Sequence, residues 1–239
     1  MIQLASLFDS FSGAINFIFN SRESAGGGTD VGGLGQVGDL LGKHIEVSAI
    51  GLAVALLVAL PIGLYFGHHG KGEFLAVALG NAGRAIPELA LIAFLVAFVG
   101  TGLLNVTIAL AVLGIPPILT NTFVGMRQVD PNAVQAARGI GMSEREIALR
   151  VELPLAAPTI MTGVRTAAIN IIATATIAPL AGVLTLGDFI LSRNVYGDEG
   201  VLAGAILVAL LAITVEVCLA GLQWLLTPKG VRLARAQAG

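Results

Sequence analysis

Five mostly apolar runs, at about 47–66, 74–99, 104–125, 157–182 and 201–226, constrain this chain more than any other feature. Each reaches the roughly 20 residues a helix needs to cross a hydrocarbon core. In lipid, backbone N–H and C=O groups must be satisfied internally, so such runs fold as helices. Charge is scarce throughout: Asp, Glu, Lys and Arg make up 12% of the 239 residues, against about 25% in soluble domains. The expected fold is therefore all-α and polytopic. Five spans occupy 47–226, segment 1–46 precedes them, and a polar tail, 227–239, follows. The second run is expected to be one kinked helix carrying Arg84, Pro87 and Glu88, and the third to kink at Pro116-Pro117.

The remaining segments exclude several classes. No basic patch is visible and aromatics are scarce, so no nucleic-acid surface is expected. Cys218, the one cysteine, lies in an apolar run and reads as filler. No Lys or Arg precedes the first apolar residues, which is unlike a signal peptide. Residues 2–19 place Leu4, Leu7, Phe8, Phe11, Ile15 and Ile18 at helical spacing. They read as an amphipathic helix in the membrane interface, with a short extra span as the alternative. The Gly-rich stretch 24–39 reads as a flexible linker. It follows no strand and leads to no Gly-Lys-Ser/Thr, and Gly70-Lys71-Gly72 fails the same test, so no ATP site is expected.

Lys and Arg orient the chain. If segment 126–154 is cytoplasmic, alternation places 67–73 and the tail there too. These regions hold eight basic residues: Lys71, Arg127, Arg138, Arg145, Arg150, Lys229, Arg232 and Arg235. The opposite side holds three, Arg22, Lys43 and Arg193. The expectation is an outside N-terminus and a cytoplasmic C-terminus.

Within 126–154 the local signals spell two short helices around a glycine break. Asp130 is suited to the N-cap and Pro131 to the first helical position. Gly139 and Gly141 stop the first helix. Ser143 and Glu146 form a capping-box pattern that starts the second, and Pro154 is expected to end it. Ala136, Ala137 and Ile140 give the first helix a small, close-packing surface. This is either an ordinary connector or a docking knob.

Gln135-Ala136-Ala137, Gly141, Val151, Leu153 and Pro154 stand at the spacing Glu-Ala-Ala, three residues, Gly, nine residues, Ile, any residue, Leu-Pro. That pattern resembles the loop of binding-protein-dependent ABC transporter permeases, the inner-membrane components. Gln135 replaces Glu and Val151 replaces Ile. The resemblance covers about 45–226. Arg84-Ala85-Ile86-Pro87-Glu88-Leu89-Ala90-Leu91, Gly163-Val164-Arg165-Thr166-Ala167 and Asp130-Pro131 look like its osmoprotectant branch, whose substrates include glycine betaine, carnitine and choline. Related branches import methionine, sulfonates or other small solutes. The resemblance implies a permease subunit of the bacterial plasma (inner) membrane whose 126–154 loop sits in a groove of a cytoplasmic ABC ATPase. It further implies a second permease subunit, identical or different, and an extracytoplasmic substrate-binding protein. ATP and Mg would be bound by the ATPase, with no cofactor or catalytic site on this chain.

Charges inside the spans cost at least about 2.5–3.5 kcal/mol at mid-bilayer and must face protein or water. Arg84 and Glu88, four apart, would share a helix face as gate residues or as a structural pair. Arg165 is placed either to pair across helices near the cytoplasmic gate or to snorkel. Glu216 is expected to pair with Arg165 or Arg84, with contact to a cationic substrate or a protonated acid as alternatives. Asp188 ends a turn, 182–188, that reads as a re-entrant outer segment near the pathway or a plain loop. His44, His68 and His69 lack partners at ligand spacing, so no metal site is expected. An ATP-independent secondary transporter would call for inverted repeats or an acid–base relay, and a membrane enzyme for a clustered catalytic constellation. None is evident in the sequence.

Overall fold

A computed structural model of the chain describes residues 2–232; the side chains of 2–8, 75, 77, 81, 82 and 84 lie outside that description. Helix α1 runs Ile2–Phe19. Strands β1 (Ser21–Glu23) and β2 (Asp30–Gly32) pair antiparallel, with Arg22 opposite Val31. Then follow α2 (Gly33–His69), α3 (Glu73–Ala85), α4 (Glu88–Val99), α5 (Leu103–Arg127), α6 (Pro131–Gly139) and α7 (Glu144–Ile147). A π turn, Ala148–Glu152, leads into α8 (Leu153–Thr174), and a 3-10 turn, Ala175–Ala181, precedes α9 (Gly187–Leu191) and α10 (Arg193–Leu226). Among the described residues, four helical stretches are long and apolar enough to cross a membrane: Gly33–His69, Leu103–Arg127, Glu144–Ala181 and Arg193–Leu226.

Several expectations change. The second apolar run is two helices, α3 and α4, not one. Proline disfavours helical backbone at the residue before it, and Ile86 is extended, with φ −77 and ψ 118. Arg84 and Glu88 therefore belong to different helices, and the shared face expected for them is absent. Helix α4, with 12 residues, spans only about 18 Å, well short of a hydrocarbon core of about 30 Å. Helix α5, by contrast, stays helical through Pro116-Pro117. The Gly-rich stretch is a tight hairpin followed by the start of α2, so the helix that carries span one begins at Gly33. The hairpin is also a small departure from all-α. His68 and His69 close α2 instead of lying in a loop.

Chain contacts divide the molecule into two compact units. The first comprises Met1–Gly51, Glu88–Leu110 and Ile171–Thr214. Its core is an aromatic cluster in which the fully buried Phe17 meets Phe189 edge-on at 5.2 Å, and Phe189 meets Tyr196 at 4.9 Å. Arg22 lies over the Phe17 ring, pairs with Glu199 and donates to the Tyr196 carbonyl at 2.9 Å. Helix α1 thus buries Ala14, Phe17 and Ile18 against protein, while Phe11, Ile15 and Phe19 stay exposed. It carries a protein-facing stripe as well as the apolar face read from its sequence.

The second unit comprises Leu52–Pro87, Ala111–Asn170 and Val215–Gly239. Here α2, α5 and α8 meet through Ala55, Ala59, Ile118, Leu119 and Ala167, all nearly or fully buried. Gly63 and Gly67 form a GxxxG face on α2 against α5. A Cβ on Gly63 would stand 2.7 Å from Thr122 Cβ, and one on Gly67 would stand 2.6 Å from Met126 Cβ. Such small residues let membrane helices approach closely. Overpacking an interface of this kind costs about 1–3 kcal/mol. Gly63→Val should therefore lower the thermal midpoint of the detergent-purified chain by several degrees. Gly42→Ala, where a Cβ meets nothing within 4 Å, should leave it unchanged or raise it; equal midpoints for both variants would contradict this packing.

Candidate functional site

The loop 126–154 is built as its capping residues dictate. The Asp130 carboxylate accepts from the Asn132 N–H at 2.9 Å, and Pro131 opens α6. At the other end the Gly141 N–H donates to Arg138 O at 3.1 Å and the Met142 N–H to Ala137 O at 3.2 Å. This bond pair is a Schellman closure, which places the residue after the cap in left-handed backbone. Gly141 has φ +87. Gly139 is merely the last residue of α6, so the break belongs to Gly141. The Ser143 N–H then donates to Glu146 Oε2 at 3.0 Å and the Glu146 N–H to Ser143 Oγ at 3.4 Å, the reciprocal box read from the sequence.

Pro154 does not end the second helix. Helical backbone continues from Glu144 to Ala181. In the π turn just before it, the Leu153 N–H reaches back five residues to Ala148 O. That wider turn makes room for a ring that would clash with the carbonyl four residues earlier in a regular helix. Val151 lies in this turn. Leu153 and Val134 pack on a core of Met126, Val129, Ala156 and Ile160, which fixes both halves of the loop. Outward, Gln135 and Ala136 are exposed and Ile140 is 81% exposed, while Ala137 faces inward and is buried.

Arg138, Glu144, Glu152 and the ring of His68 form a polar network across this loop. Arg138 donates from Nε and Nη2 to the two Glu144 oxygens at 2.8 and 2.9 Å, a bidentate pair. His68 Nε2 lies 3.5 Å from Glu144, and His68 Nδ1 lies 2.5 Å from Glu152, which is buried. Beside them opens a pocket of about 270 Å³ whose lining includes Met126, Arg127, Gln135, Arg138 and Glu152. The sequence gives no sign of this network, because His68 and Glu152 are 84 positions apart.

The other singled-out charges part company. Arg165 pairs with Glu216 and donates to Gln223 Oε1. Gln223 in turn donates to Pro158 O at 2.7 Å, so the cluster fastens α10 to α8 within the second unit. The second Glu216 oxygen is buried without a hydrogen-bond partner among the described residues. Glu88 is exposed in the first turn of α4, and the Arg84 side chain is outside the described residues. Asp188 accepts from Tyr196 Oη at 2.6 Å and Ser192 Oγ at 2.9 Å. Its turn folds back on the 3-10 segment: Thr185 Oγ1 donates to Ala175 O at 2.7 Å, and a Cβ on Gly187 would stand 1.7 Å from Thr176 O. His44 is buried, with Nε2 3.0 Å from Ile172 O. Among the described residues no group of three or more His, Cys, Asp or Glu could hold a metal ion.

Residues 51–229 match the family described as binding-protein-dependent transport system inner membrane component. A carnitine transport permease protein of Listeria monocytogenes is 38% identical over 194 residues, covering 81% of this chain and 89% of that protein. A choline transport system permease protein of Bacillus subtilis is 39% identical over 199 residues, covering 82% and 92%. In fold, a chain from inward-facing MetNI methionine ABC transporter crystals aligns with TM-score 0.70 at 18% identity, over 82% of this chain and 98% of that one.

Losing an N-cap side chain costs about 1 kcal/mol, a factor of about five in a local opening equilibrium. Ser143→Ala should speed amide hydrogen exchange at residues 143–147 by about that factor. Unchanged exchange there would show that tertiary contacts, not the cap, hold α7.

Proposed function

This chain belongs to the binding-protein-dependent transport family of inner membrane components, and from that premise we propose that it is the permease of an ATP-driven importer for a quaternary-ammonium osmoprotectant. Choline, carnitine and glycine betaine are the candidate solutes. The carnitine and choline permeases that it resembles at 38 and 39% identity support this class. The MetNI likeness, at 18% identity, concerns fold alone. Quaternary ammonium groups are selected by aromatic cages. Here Tyr65 meets Phe66 edge-on and leans over His69, Tyr196 sits in the Phe17 cluster, and Trp224 carries Arg232. The tyrosines and the tryptophan are thus scattered rather than gathered into a cage, and we assign selection to a separate extracytoplasmic binding protein.

The loop 126–154 carries the mechanism. Its two capped helices present Gln135, Ala136 and Ile140 to solvent from a base fixed by Val134 and Leu153. A rigid, small-residue knob of this kind suits a groove on a cytoplasmic ATPase. Asp130 and Pro131 start the knob, Ala137 seats it, Gly139 and Gly141 turn it, and Val151, Leu153 and Pro154 join it to α8. Hydrolysis of ATP, with its Mg, would take place on that ATPase, and this chain would contribute no catalytic group. A second permease subunit completes the pathway. The eight basic residues on the 126–154 side favour a cytoplasmic loop and C-terminus and an external N-terminus.

Two measurements test this reading. Vesicles holding the complete complex should accumulate labelled choline, carnitine or glycine betaine when ATP is supplied. Accumulation of methionine in their place would reassign the substrate. Gly141→Val forces a branched residue into left-handed backbone, at about 1–2 kcal/mol. It should cut ATP-driven uptake about tenfold while membrane insertion is unchanged; full uptake by this variant would remove the loop from the coupling path.

A further inference from the structure

We propose that His68 is a positioning residue for energy coupling, locking the loop 130–154 to the end of α2 so that displacement of the loop is passed to the first membrane span. The inference rests on the reading of that loop as the ATPase-docking element. His68 is the next-to-last residue of α2, and its side chain is only 13% exposed. One ring nitrogen engages Glu152 at 2.5 Å, in the π turn where the loop enters α8. The other lies 3.5 Å from Glu144 on α7, whose carboxylate is forked by Arg138 on α6. One imidazole therefore reaches α7 and the exit turn of the loop directly, and α6 through the Arg138–Glu144 pair.

Apolar contacts also hold the loop, through Val134 and Leu153. Such contacts are non-directional. A hydrogen bond to a buried carboxylate has one geometry, and losing it strands Glu152, which is 6% exposed. Among the described residues, His68 is the one side chain hydrogen-bonded to that carboxylate. The His–Glu–Glu trio does not serve as a metal site. The carboxylates address opposite nitrogens of one ring, so the three groups do not converge on a single ion.

The test uses the complete complex in proteoliposomes, with the binding protein and labelled choline, carnitine and glycine betaine. Solute accumulated per ATP hydrolysed is the readout. His68→Leu should keep the ATPase bound and hydrolysing, while solute per ATP falls about tenfold, a usual size for a coupling term. His68→Asn places an amide N–H near the position of Nδ1 and should restore most of the ratio. An unaltered ratio in His68→Leu overturns the inference alone. So does an Asn variant as poor as Leu, or a Leu variant that no longer assembles with the ATPase, since either would make His68 a folding residue. No ATP-driven uptake by the unaltered complex overturns the importer reading, and the inference with it.

Discussion

Helices surrounded by lipid gain little from pressing apolar side chains together, because lipid tails are just as apolar; close approach and good packing must hold them instead. The second unit shows how this chain meets that condition. Helix α2 offers Gly63 and Gly67 to Thr122 and Met126 of α5, and α8 offers Gly163 to the Pro117 carbonyl, where a Cβ would stand 2.6 Å away. The glycines on α2 stand four positions apart, which keeps them on one face. The base of the loop rests on the same unit, since Leu64, Val134, Leu153 and Val164 share one core.

The loop itself combines two kinds of order. Caps at Asp130 and Ser143 and the turn at Gly141 are local and give α6 and α7 their ends. Anchoring is tertiary: Ala137, Ile147 and Glu152 turn inward while Gln135, Ala136 and Ile140 remain in solvent. A segment with a fixed base and an exposed tip suits contact with a partner protein. The π turn adds a further function, since it carries the helical direction of the loop into α8 across Pro154.

Charges in the apolar helices follow the same economy of placement. Arg165 and Glu216, 51 positions apart in sequence, pair across two helices, with Gln223 beside them. Asp188 is held by Tyr196 and Ser192. These groups brace helix ends and turns. Their hydrogen bonds explain how ionisable side chains stand in stretches otherwise rich in Leu, Ile, Val and Ala.

The sequence by itself determined that the chain is helical, rich in membrane-length segments and equipped with a capped helix–break–helix loop. Those properties depend on composition and on residues within four or five positions of one another. The glycine break was legible as well, but that Gly141 rather than Gly139 makes the left-handed turn came from the structure. Tertiary structure decided the rest. It split the second apolar run at Ile86-Pro87, where length and hydropathy alone indicated one kinked helix, because backbone sterics before proline overrule an apolar average. It turned a side of α1 inward through Phe17, folded the glycine stretch into a hairpin and carried α8 past Pro154. It also brought His68 to Glu152 and Arg165 to Glu216. Pairings of that kind join residues far apart along the chain, and their partners are chosen by how helices pack, which no local pattern records.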